Sequence, residues 1–284
     1  MAIAPDGKAN LWAGAPGADP SGAVERALKN CEERNAAPCS LYAVNDVVLA
    51  GRDWKEAFAP ALPPIGRLRP QPYWDNKGPQ AAAGLIIWSH GYIAGRDSTE
   101  SAPQAQVAYF TRQGYDLYRF DRKRIRDRKG DALQLADAVR QARAMGYARV
   151  VLAGQSAGAW VSLAAAAGGA PVDGVISLAA AHHGTVKKMR DVAVARSDWR
   201  QLVGGIKPGP RLALVNFADD EYDVGGRMDD ARTAFAASGV DALVVDDPPG
   251  FKGHAAARNF AFARKYGACL HAFIETGARQ LPCD

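Results

Sequence analysis

The stretch that decides the fold is "VVLAGQSAGAW", residues 150–160. An apolar run ends at Gly154-Gln155-Ser156-Ala157-Gly158, and a run of small apolar residues follows. The pattern reads as a buried strand turning directly into a helix, with one hydroxyl at the turn. Such a turn has to be tight to lift the serine above the sheet. A Cβ two residues before or after it would collide with neighbouring backbone, which accounts for Gly154 and Gly158. The helix that starts there aims free N–H groups and the positive end of its dipole at the same point. A G-x-S-x-G pattern carries little alone in a chain with 29 glycines. Its place between a strand and a helix gives it weight. Ser156 is the candidate nucleophile, the Ala157 N–H a candidate oxyanion donor and Gln155 a candidate substrate contact.

Outward from this turn, strand-like runs alternate with helical spacing. Residues 85–91, 115–120, 149–154, 174–180, 211–218 and 241–247 read as strands. Helices fall within 98–114, 131–146, 156–169, 227–239 and 254–277, and 181–210 has room for one more helix and little else. The alternation implies an α/β fold, a mostly parallel twisted sheet with helices on both faces and a small or absent lid. Residues 1–20, rich in Gly, Pro and Ala, read as a flexible arm. Residues 21–284 read as one domain, opening with a helix at 21–35 capped by Ser21, a strand or hairpin at 39–51 turning at Asn45-Asp46, and a Pro-rich loop around one irregular strand.

A serine needs a base, and the base needs an orienting acid. Of the five histidines, His254 lies in "PPGFKGHAA", a Gly/Pro loop after the last strand, and is the candidate base. His182 and His183 rank behind it, His271 inside the last helix reads as a packing residue, and His90 in "SHGY" as a loop brace. The acid falls in "LVNFADDEYD", where Asp220 is preferred and Asp219 and Asp223 stay open. Gly91 permits close approach, so the Tyr92 N–H is the second oxyanion candidate. Tyr92, Trp160 and Trp199 are candidate cleft aromatics, and Trp160 and Trp199 candidate substrate contacts.

Together, His90-Gly91, the turn from Gly154 to Gly158, the acid after the next-but-one strand and the late His254 resemble the α/β-hydrolase superfamily over about residues 84–276. The spacing is most similar to single-domain bacterial serine esterases of the dienelactone hydrolase-like and peptidase-like branch. Dienelactone hydrolases proper carry cysteine as nucleophile, so Ser156 implies ordinary esterase chemistry. The resemblance implies a Ser-His-Asp serine hydrolase that cleaves carboxylic esters through an acyl-enzyme, with no metal or organic cofactor. It also implies antiparallel edge strands from residues 21–83, whose sequence matches no pattern of its own. A small lid implies an open cleft, suited to a bulky, polymeric or polar ester. A serine peptidase or acyltransferase using the same residues is the nearest alternative. A non-catalytic envelope binding protein on a hydrolase scaffold is the alternative of another class.

Composition bounds the partners. With 48% hydrophobic residues, 23% charged and a net charge of +5, the chain is long enough for one large core and is not a solvated coil. Much of the basicity sits in "RFDRKRIRDRK" (119–129), read as a solvated loop rather than a nucleic-acid site. No apolar run reaches the roughly 18–20 residues of a membrane span. Cys31 and Cys39 form one local pair and Cys269 and Cys283 another, which suggests two disulfides and an oxidising compartment. The protein therefore reads as periplasmic or secreted, with a signal peptide outside the given sequence, and cytoplasmic as the alternative. Nothing in the sequence speaks to the oligomeric state.

Overall fold

The computed structural model describes residues 1–7, 10–11, 19–45, 47–58, 62–92, 102–122 and 127–283. The first of these build a small unit. β1 (Ala2–Ile3) pairs antiparallel with β2 (Asn10–Leu11) and with β3 (Ser40–Leu41). Across them lies α1 (Ser21–Asn35), whose Ala27 and Cys31 are buried with Ala2. A disulfide from Cys31 to Cys39 ties α1 to the start of β3. The expected flexible arm does not hold for its first residues: Ala2 faces Leu41 across the ladder and is fully buried under α1. Nor does Ser21 cap the helix. It is the first helical residue, and the Asp19 carboxylate accepts from its N–H and its hydroxyl, at 2.9 and 2.7 Å. The anticipated hairpin is present as β4 (Ala43–Val44) against β5 (Val47–Val48), although Asp46 of its turn lies outside the described residues. Val24, Val44 and Leu49 close a second small cluster beneath Trp54, Phe58 and Tyr73.

The rest is organised by one sheet. Its strands are β6 (Leu68–Pro70), β7 (Gly84–Ser89), β8 (Tyr115–Phe120), β9 (Val150–Gln155), β10 (Gly174–Leu178), β11 (Arg211–Asn216) and β12 (Ala242–Asp246). Among the described residues their order is β12-β11-β10-β9-β7-β8-β6, parallel throughout except for β6, which runs antiparallel to β8 at the edge. The anticipated antiparallel edge thus comes from the one strand in the Pro-rich segment. The helices are α2 (Ala108–Thr111), α3 (Arg128–Ala144), α4 (Ala157–Ala167), α5 (Val192–Gly204), α6 (Arg227–Ser238) and α7 (Phe260–Thr276). The helix predicted at 98–114 is short. Its first four residues lie outside the described set, Gln104 is extended, and a 3₁₀ turn leads into α2, which stops before Gly114 (φ +84°).

Strand side chains alternate between two cores, as a pleat requires. Leu85, Ile87, Val150 and Leu152 point to the face covered by α3, α4, α5 and α6, where Leu135, Leu163, Trp199 and Phe235 meet them. Ile86, Trp88, Val151 and Ala153 point to the other face, against Phe110 of α2 and Phe262 and Phe273 of α7. The second disulfide, Cys269–Cys283, folds the tail back onto α7. Both anticipated pairings are therefore formed. Two buried faces fix the strand register, and with it the height at which each loop leaves the carboxyl edge.

Candidate active site

Three loops converge at that edge. The first is the turn from β9 into α4. Ser156 has φ 58° and ψ −123°, a positive-φ conformation that a residue with a Cβ rarely adopts. Its N–H donates to the Leu178 carbonyl at 2.9 Å, and its own carbonyl accepts from Trp160 and Ala181 at 3.1 Å each. The flanking glycines are required by contact. A Cβ on Gly154 would stand 2.6 Å from the Gly158 carbonyl carbon, and one on Gly158 would land on the Ser89 carbonyl oxygen. The helix thus packs against the ends of β7 and β9 with no room for a side chain, and strain at Ser156 is held by both.

The second loop follows β11. Asp219 (φ 58°) turns outward and pairs with Lys252 at 3.0 Å, both side chains well exposed. Asp223 turns back to accept from Asn216 Nδ2 at 2.8 Å and from the Gly225 N–H at 3.0 Å. Only Asp220 of the three candidates reaches His254. His254 Nδ1 lies 2.9 and 3.0 Å from the two Asp220 carboxylate oxygens, and the Asp220 side chain is 1% exposed.

His254 belongs to the third loop, between β12 and α7. The Gly253 N–H donates to the Ala218 carbonyl at 2.7 Å, which ties this loop to the acid loop. His254 Nε2 lies 2.8 Å from Ser156 Oγ, so one imidazole bridges hydroxyl and carboxylate. With Nδ1–H donating to Asp220, Nε2 is the nitrogen free to accept the serine proton. His183 pairs instead with Asp198 at 3.0 Å, His182 stacks on Trp160 with ring centroids 5.0 Å apart, and His271 packs edge-on against Phe110.

Gln155 corrects its expected role. It is buried, and its Nε2 donates to the His254 carbonyl at 3.0 Å, which ties the end of β9 to the histidine loop. Trp199 is corrected too. It is fully buried, with Nε1 donating to the Arg227 carbonyl at 2.7 Å, and belongs to the core. Trp160 is mostly buried one turn after Ser156 and keeps one face toward His182.

Opposite, β7 ends at Ser89-His90-Gly91-Tyr92. A Cβ on Gly91 would meet Gln155 Oε1 at 2.7 Å and lie 3.5 Å from Ser156 Cβ, so the end of β7 passes close against the nucleophile turn. Ala157, first residue of α4, has an N–H with no intrahelical acceptor. Burial, helped by the nearby Arg122 guanidinium, pulls the His90 pKa down to about 3, so its ring is neutral and its Nδ1–H donates to the Gly91 carbonyl at 2.8 Å. Sequence reasoning missed Arg122. In a basic run read as a solvated loop, it is 3% exposed and donates from Nη2 to the same Gly91 carbonyl at 3.0 Å. Buried Asp131, 3.8 Å from Arg122 and 3.6 Å from Arg128, balances the charge. Residues 123–126 of that run lie outside the described set. One signal was available: Arg122 is two residues past a buried strand, where a side chain can turn back over the carboxyl edge.

No family model and no curated protein matches the sequence. Solved structures do. The chain is similar to a truncated carbohydrate esterase from gut microbiota, at 11% identity and TM-score 0.50, over 74% of this chain and 90% of that one. It is similar to a prolyl endopeptidase at 13% identity and TM-score 0.54, over 73% of this chain, but it spans only 35% of that longer protein. An esterase of Pyrococcus furiosus matches at 15% identity and TM-score 0.50, over 68% of this chain and 81% of its own. Identities this low speak to architecture alone, and the architecture these structures share with the seven-stranded sheet is one: the chain is built on the α/β-hydrolase fold.

Proposed function

We propose that the protein is a serine hydrolase cleaving carboxylic esters through an acyl-enzyme. The observation that carries this is the unbroken relay Ser156 Oγ to His254 Nε2, 2.8 Å, and His254 Nδ1 to Asp220, 2.9 Å. In the proposed reaction Ser156 Oγ attacks the ester carbonyl as its proton passes to His254. Asp220 stabilises the imidazolium and keeps the ring oriented. The Tyr92 and Ala157 N–H groups receive the developing oxyanion. The tetrahedral intermediate collapses, the carbonyl carbon–alkoxy oxygen bond breaks, and the alcohol leaves with the proton from His254. Water then repeats the sequence on the acyl-enzyme, activated by the same imidazole. Esterases among the similar structures support the ester reading. Peptidases among them make amide cleavage the second one, to be separated by assaying matched ester and anilide substrates. A non-catalytic binding role has little support, because a scaffold used only for binding has no need of an intact relay under backbone strain.

Ser156→Ala tests the reading directly. It is expected to fold normally, to lose labelling by a fluorophosphonate, and to lose roughly 10⁴–10⁶ in kcat. Turnover near that of the unsubstituted protein sinks it. The two disulfides support an oxidising, periplasmic or secreted setting for this chemistry.

A further inference from the structure

We infer that Tyr222 is a positioning residue for the base: its ring holds His254 in the bridging orientation and stabilises the imidazolium that forms as Ser156 attacks. The inference rests on the serine-hydrolase reading and deepens it. The Tyr222 ring lies over the His254 ring, with centroids 4.0 Å apart and planes at 32°, so ring faces rather than edges are in contact. The backbone of the same residue reaches the acid. The Tyr222 N–H donates to Asp220 Oδ1 at 2.8 Å, and this is the oxygen that His254 Nδ1 meets at 2.9 Å. One residue thus touches both partners of the nucleophile, the acid through its backbone and the base through its side chain.

The chain is tied down on both sides of Tyr222. Before it, the Glu221 carbonyl accepts from the Val186 N–H at 2.8 Å, which straps the segment ahead of α5 to the acid loop. After it, the Asp223 N–H closes a turn onto the Asp220 carbonyl at 3.0 Å, and the Asp223 carboxylate accepts from Asn216 Nδ2 at 2.8 Å. The ring is therefore in place before any substrate arrives, as an effective neighbour of a reacting group has to be. It leaves His254 little freedom. Asp220 and Ser156 engage its two nitrogens, Tyr222 covers one face, and the side chain is 13% exposed.

The electronic part follows from where charge develops. In the resting relay the imidazole accepts at Nε2 and is neutral. When the serine proton reaches Nε2, the ring becomes a cation. The face of an aromatic ring carries negative charge density and attracts a cation within about 6 Å of its centroid. The contact with Tyr222 is therefore stronger in the transition state than before it, and only such a difference speeds the chemical step. The same holds in deacylation, when His254 takes a proton from water. The ring face is what acts, so a phenyl ring serves as well as a phenol.

Three substitutions in the whole protein test this, with turnover of p-nitrophenyl acetate and the rate of fluorophosphonate labelling of Ser156 as readouts. Labelling uses the same proton transfer and needs no ester. Tyr222→Phe keeps the ring face and should stay within about threefold in kcat. Tyr222→Leu keeps apolar cover without a ring face. It should lose about tenfold in both kcat and labelling rate, with KM unchanged within about twofold. Pentafluorophenylalanine in place of Tyr222 keeps the shape and reverses the charge on the ring face, so its rates should fall as far as those of Tyr222→Leu or further. A residue that only filled space would give full rates with the fluorinated ring, and that result overturns the inference. A loss confined to KM overturns it too, because Tyr222 would then be a substrate contact. The two aromatic replacements decide the matter even if Tyr222→Leu does not fold. No labelling of Ser156 in the unsubstituted protein removes the hydrolase reading and this inference with it. Normal labelling at equal rates in all three variants removes the inference alone.

Discussion

Residues before 59 and the sheet that follows show two ways of holding a chain together. The first region makes ladders of two residues and buries two clusters of three residues each, Ala2, Ala27 and Cys31 in one, Val24, Val44 and Leu49 in the other. The second buries dozens of side chains on two faces of seven strands. Small units bury too little apolar surface to offset the entropy of ordering the chain, so a covalent tie becomes a large share of their stability. The large core holds the turn that carries Ser156, at φ 58°. The division implies that chemistry belongs to the sheet alone and that the disulfide of the small unit supports only itself.

The largest effect expected is on that chemistry. Asp220→Asn should lower kcat about 10⁴-fold, because the amide cannot hold the histidine tautomer that leaves Nε2 free. Asp219→Asn breaks an exposed pair with Lys252 and should change kcat less than about threefold. Asp223→Asn should fall between them, since Asp223 braces Asn216 and the start of α6. Steady-state kinetics on the three variants checks the order. A greater loss for Asp223→Asn than for Asp220→Asn would mean that the drawn relay is not the working one.

The contrast also explains what could be read from the residues. Strand and helix order in the sheet was visible, because runs such as "GLIIW" and "VVLAG" are buried on both faces and their periodicity reports it. Ser156 and His254 were visible because glycines and a late Gly/Pro loop mark the backbone they need. The first residues were misread because a two-residue strand has no period, and its burial depends on α1 and on Leu41 far along the chain. Arg122 and Gln155 were misread for a related reason. Both are polar, and composition assigns polar groups to water or to substrate. Only the packed structure shows that one holds the Gly91 carbonyl and the other the His254 carbonyl.

Next in size is the effect of the disulfides. In the chain-entropy view, a bridge across 8 residues stabilises by about 2.5 kcal/mol and one across 14 by about 3 kcal/mol. The consequences should differ. Replacing Cys31 and Cys39 by Ser should open residues 1–58 as a separate, earlier transition, with hydrolytic activity within about twofold. Replacing Cys269 and Cys283 by Ser should lower the main transition instead, since α7 packs Phe262, Phe273 and Ile274 on the sheet. Calorimetry together with limited proteolysis distinguishes them. One coincident transition in the Cys31/Cys39 variant would show the two regions to be a single cooperative unit.

The smallest effect is a difference in acid sensitivity. Residues 1–58 contain no histidine, whereas His90 is buried in the sheet region with a pKa lowered to about 3, chiefly by burial. Between that value and the ordinary histidine value near 6.5, the unfolded chain binds a proton that the folded one refuses. The unfolded state holds more protons there, so folding stability rises with pH across that window and is lost as pH falls through it. From pH 7.5 to pH 5.5 the loss attributable to His90 is about 1.4 kcal/mol. His271, lowered by burial as well, acts in the same direction, so removing His90 leaves part of the slope. Asp131 opposes both, because burial raises its pKa and its folded form takes up a proton more readily in acid. His90→Gln, which has no titrating ring, should therefore be less stable than the unsubstituted protein at pH 7.5 but should lose less on going to pH 5.5. Urea denaturation at the two pH values measures this. An identical loss in both proteins would show that His90 does not carry the acid sensitivity of the sheet, and the two regions would have to be compared through their carboxylates instead.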